Sequence, residues 1–89
     1  MEYPVAIHKD KNSFFNVRVP DLPGCFSTGK TIDEALNSIK EEISSRLRIL
    51  AEKGEIAPTP STIENYYMNP DYAGATWLHV DFDVSDILE

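Results

Sequence analysis

The reactive side chains that stand out in this chain are His8, His79, Cys25 and the aspartates Asp10, Asp81 and Asp83. Imidazoles at positions 8 and 79 have neither a metal-ligand spacing nor a third partner, so they make a poor metal site. Strand alternation puts both on faces turned away from the core, where an antiparallel sheet can bring them together. A nucleophilic Cys25 needs an exposed, electropositive setting. Beside a turn and next to Phe26, it reads instead as a small core residue, and a single cysteine forms no internal disulfide. Asp10, Asp81 and Asp83 are the set that can make a two-metal carboxylate cluster. Asp10, however, sits in a loop between Lys9 and Lys11, and acids alternating along a strand face solvent. Gly24 and Gly29 belong to turns, and no glycine-rich phosphate loop is present. The expectation is therefore no catalysis, no metal and no cofactor; the alternatives are a residual metal-dependent nuclease and a homo-oligomeric scaffold domain.

The elements that must position these residues are organised around Val19 to Glu42. Leu22-Pro23-Gly24-Cys25 suits a type II turn, because proline presets φ at its second position and glycine accepts a positive φ at its third. A short strand at Cys25–Thr28 follows. Thr31-Ile32-Asp33-Glu34 is a capping box, with the Thr31 hydroxyl accepting from the Glu34 amide and the Glu34 side chain reaching back. Leu36, Ile39, Ile43, Leu47 and Leu50 then recur at steps of three or four, which predicts a helix from Ile32 to about Glu52, stopped at Gly54. Upstream, Tyr3 to His8 and Phe14 to Val19 alternate as two strands joined by the polar loop at residues 9–13, which gives a three-stranded antiparallel meander. Downstream, Ser61-Thr62-Ile63-Glu64 is a second capping box opening a short helix through Met68, and Asn69-Pro70 ends it. The last strand is Thr76 to Val84, with Leu78, Val80, Phe82 and Val84 facing the core and Trp77, His79, Asp81 and Asp83 facing away. The expected fold is α+β: a meander, a long helix, a short helix and a returning fourth strand. One helix layer leaves the opposite sheet face (Ala6, His8, Phe14, Asn16 and Arg18, with Trp77, His79 and Asp81) seeking a partner, which predicts a homo-oligomer or a complex.

At 89 residues with 42% hydrophobic content, the chain is one globular domain, residues 1–89. It has no apolar run long enough to span a membrane and no signal-peptide pattern, so a cytoplasmic location is expected. Residues 1–53 hold all 8 Lys and Arg and are neutral overall. From Glu55 onward there are acids and no Lys or Arg, so the net charge of −7 sits there. Such a segment repels nucleic acid and favours a basic partner surface.

The sequence resembles the HicB antitoxins of bacterial HicAB toxin–antitoxin modules. The likeness runs through Tyr3–Asp10, Val17-Arg18-Val19-Pro20-Asp21-Leu22-Pro23-Gly24-Cys25-Phe26, Thr31–Leu36, Pro60–Glu64, Pro70–Ala75 and Val80–Ser85, covering essentially the whole chain in order. It implies a degraded ribonuclease H-like fold without nuclease activity. It also implies a partner: the small basic toxin HicA, an mRNA interferase with a double-stranded-RNA-binding-like fold and a catalytic histidine, whose active site and RNA surface the antitoxin covers. Members of the family usually continue into a C-terminal DNA-binding domain that dimerises and represses its own operator. This chain ends at Ile87-Leu88-Glu89, where that domain would be joined, so no operator binding is expected of these residues. On charge and exposure, the expected toxin contacts are Tyr72, Trp77, His79, Asp81 and Asp83, followed by the loop acids Asp10 and Asp21.

Overall fold

The structure, a computed structural model, describes residues 2–81. Four strands form one antiparallel sheet: β1 (Glu2–Lys9), β2 (Phe15–Arg18), β3 (Phe26–Gly29) and β4 (Thr76–Asp81). Their order across the sheet is β3-β2-β1-β4, so of the described strands the first in sequence lies inside and the fourth at an edge. Helix α1 (Ile32–Glu52) packs over β2 and β3. A short helix, α2 (Glu64–Tyr67), and a 3-10 turn at Pro70–Tyr72 precede β4.

Local signals account for most of this. At the turn before β3, the Cys25 amide donates to the Leu22 carbonyl at 3.0 Å while Gly24 holds φ +85, the geometry expected of a type II turn. Gly29 serves another purpose, because a Cβ there would come within 2.6 Å of the Ala35 nitrogen. The missing side chain lets β3 meet the first turn of α1. The Thr31 hydroxyl accepts from the Glu34 amide at 3.1 Å. The Glu34 carboxylate reaches one residue beyond the cap and accepts from the Lys30 amide at 2.9 Å. At the far end the Gly54 amide donates to Ala51 and the Glu55 amide to Leu50, a Schellman closure with Gly54 at C′.

The core lies between α1 and the sheet. Ile39, Ile43 and Leu47 are fully covered, together with Ala35, while the predicted stripe residues Leu36 and Leu50 are half-buried at its rim. Tyr3, Val5 and Val17 meet them from the strands, and Val19 from just beyond the end of β2. In β4 only Val80 is buried. Leu78, predicted to be core, is 39% exposed, because α1 lies over β2 and β3 and the layer thins toward the β4 edge. Phe82, Asp83 and Val84 of the predicted last strand lie outside the described residues.

Two other expectations are corrected. The second capping box does not form: Ile63 stands at the N-cap of α2 in helical conformation, and no side chain caps it. The Ser61 amide donates instead to Asp21, whose carboxylate lies 40 positions away in sequence. Nor is the sheet face opposite α1 open. After Gly54 the chain rounds the end of the sheet, with the Tyr3 hydroxyl donating to the Pro58 carbonyl at 2.8 Å, and then crosses that outer face as a strap. Pro4 and Ala6, which point away from α1, are buried as a result.

Candidate partner-binding surface

The outer face is a grid of cross-strand rows. One row reads Phe26, Arg18, Ala6, Trp77 across all four strands. Trp77 therefore stands beside the smallest side chain of the row, which leaves space above Ala6 for rings from the strap. Tyr66 stacks on Trp77 with centroids 6.3 Å apart, and Tyr72 meets Trp77 edge-on at 5.5 Å. Arg18 lies 4.6 Å over the Tyr72 ring and donates to the Asp71 carbonyl at 2.7 Å. His8 Nε2 lies 3.3 Å from the Ala73 carbonyl oxygen. Between Arg18, Tyr72, Phe26 and the Pro23-Gly24 turn runs a cleft of about 360 Å³. Phe26 forms its exposed wall.

Asp21 anchors the strap. Only 9% exposed, it accepts from the Ser61 amide at 2.7 Å and from the Tyr66 hydroxyl at 2.5 Å. The hydrogen bond to this carboxylate, aided by burial, raises the Tyr66 phenol above its usual range. Burial does the same for Tyr3, with the Asp21 charge adding to it. Cys25 is buried, and desolvation pushes its thiol up, the reverse of what a nucleophile needs.

The fold separates the candidate catalytic groups. His79 pairs with Pro4, four residues along β1 from His8, so the two imidazoles are roughly 13 Å apart along the strand and do not approach. Asp81 pairs with Glu2, whereas Asp10 lies beyond the opposite end of β1, roughly 26 Å away by strand rise. No group of three or more potential metal ligands occurs among the described residues. Asp10 instead organises its own hairpin loop, accepting from the Asn12 and Phe14 amides and the Asn16 side chain. Those bonds, the one from Asn16 first, hold its carboxyl below the usual range. Among the described residues no helix is long and apolar enough to cross a membrane.

Residues 3–89 match the family model described as HicB_like antitoxin of bacterial toxin–antitoxin system. The chain belongs to this HicB-like antitoxin family. It is 45% identical to the N-terminal domain of the Burkholderia pseudomallei antitoxin HicB, with a TM-score of 0.85 over 94% of this chain and 100% of that one. A structure described as the HicA3 and HicB3 toxin–antitoxin complex matches at 27% identity and TM-score 0.74, over 93% of this chain and 99% of the matched one. An uncharacterized 14.9 kDa protein of Haemophilus phage HP1 is 39% identical over 88 residues. That match takes in 99% of this chain, which spans 65% of the phage protein's length.

On this HicB-like frame the seven expected contact residues fall in different places. Tyr72 and Trp77 share the aromatic cluster, half-buried. His79 and Asp81 are exposed on β4, at the edge of the sheet. Asp10 lies at the hairpin tip and Asp21 under the strap. Asp83 lies outside the described residues. The expected contacts leave out Tyr66 and Phe26, and also Arg18, which the sequence does place on the outer face. Arg18 carried a usable signal, since a cation alternating with Val17 and Val19 must face away from the core.

Proposed function

We propose that this chain silences a small basic toxin of the HicA type by binding over its catalytic and RNA-binding surface, and that it contributes no chemistry of its own. The charge distribution carries the reading. Glu55, Glu64, Asp71 and Asp81 are exposed within a stretch, residues 54–89, that holds no Lys or Arg. A protein that grips RNA phosphates presents cations, and such a surface is electrostatically complementary to this one. Membership of the antitoxin family and the likeness to a toxin–antitoxin complex support the same partner.

The test is titration of the chain against a HicA-type toxin from the same genome, followed by RNA cleavage assays with and without the chain. A stoichiometric complex that cleaves no RNA is expected. Changing Asp81 and Asp83 together to Lys should weaken the complex roughly tenfold at physiological salt and flatten its salt dependence. Unchanged affinity in that variant would refute the electrostatic reading.

A further inference from the structure

The two edges of the sheet differ. β3 is four residues long, its end at Gly29 is pressed against α1, and Lys30 follows it. β4 runs six residues in unbroken register with β1, and among the described residues no strand pairs with its outer side. Thr76–Asp81 contains no Pro, Gly, Lys or Arg, and its register has no bulge. Those are the features that ordinarily stop an edge from recruiting another strand.

Alternation fixes which backbone groups point outward. The Asp10 amide donates to the Phe14 carbonyl, so the even-numbered residues of β1 turn their backbone groups toward β2. Tyr3, Val5 and Ile7 then face β4 and pair with Val80, Leu78 and Thr76. This leaves the N–H and C=O groups of Trp77 and His79 directed away from the sheet. Pro4, which has no N–H, falls in the set that faces β2, past the end of that strand. On the α1 side of the same edge lies the half-exposed Leu78, which a further strand would cover.

Charge selects the occupant. Exposed Glu2 lies across from Asp81 at one end of this edge. No Lys or Arg occurs from Gly54 to the end of the chain. A strand bearing Lys or Arg would be drawn to these acids. We propose that the outer edge of β4 takes up an extended basic segment of the toxin as a fifth strand, with Trp77 and His79 supplying the main-chain hydrogen bonds. This inference rests on the toxin-binding reading above and specifies how the toxin is held.

Amide exchange by NMR on the chain alone and bound to the toxin tests it directly. The Trp77 and His79 amides should exchange freely in the unbound chain and slow at least about tenfold in the complex. His79→Pro removes an outward donor and blocks the edge without touching the bonds to β1, so affinity should fall roughly 10- to 100-fold. Thr28→Pro makes the matching change on β3 and should leave affinity within roughly twofold. A complex in which the two amides stay unprotected overturns the proposal, even if the proline variant fails to fold. Sedimentation of the chain alone provides the other check: a dimer that protects the same amides would make a second copy the occupant and overturn it too. Failure of the unaltered chain to bind the toxin at all removes the functional reading itself, and this inference with it.

Discussion

Under α1 the sheet is sealed by aliphatic side chains at helical spacing, whereas its outer face is sealed by three aromatic rings, an arginine and a single aspartate. The first seal draws on area removed from water and is spread over many residues. The second depends on a few directional contacts, and neither α2 nor the 3-10 turn contains a fully buried residue. The contrast teaches that one small sheet can have a face that is hard to open and a face whose cover is held at a few points. The cover is therefore the first part of the described structure to loosen.

The largest effect is expected on the α1 side. Ile43→Ala, at a fully buried position, should cost about 3 kcal/mol in urea unfolding, with all probes shifting together. Asp21→Ala should cost about 1.5 kcal/mol by leaving the Ser61 amide and the Tyr66 hydroxyl without their acceptor. Its loss should be local: amide exchange should quicken through residues 61–72 while β1 stays protected. An Asp21 variant that melts the whole domain as Ile43→Ala does would break the comparison. The smallest effect belongs to the hairpin. Asp10 has a depressed carboxyl pKa, so its stabilisation is present at neutral pH and is lost as the pH falls below the ordinary carboxylate value of 3.8. Asp10→Ala should therefore melt slightly below the unaltered chain at pH 7, and the gap should close toward pH 2. A gap that persists at pH 2 would show that packing, not charge, holds that turn.

What could be read from the sequence divides along the same line. The Thr31 cap, the turn at Gly24 and the span of α1 are encoded by neighbours a few residues apart, and the structure has them where spacing put them. The strap is not encoded that way. Ser61 and Glu64 carry the pattern of a helix cap, but the Ser61 amide goes to a carboxylate that only the folded sheet brings near. The sheet face judged open was covered for the same reason, since Tyr66, Tyr72 and Trp77 show no common period and meet only through tertiary structure. The candidate surface was partly legible. The imbalance of charge and the alternation of β4 were visible, but the exposure of Leu78 and the outward N–H of His79 follow from strand order, which no local pattern states.

The position of β1 has a consequence for synthesis. Of the four described strands, the first to leave the ribosome is an inner one, and its neighbour on one side is not made until Thr76 to Asp81 have been translated. Until then Tyr3, Val5 and Ile7 display unmet backbone groups along an apolar ribbon, so a nascent or prematurely terminated chain is sticky where the finished one is closed. Pairing of β4 is thus the step that covers this side of β1 and moves the open edge out to β4.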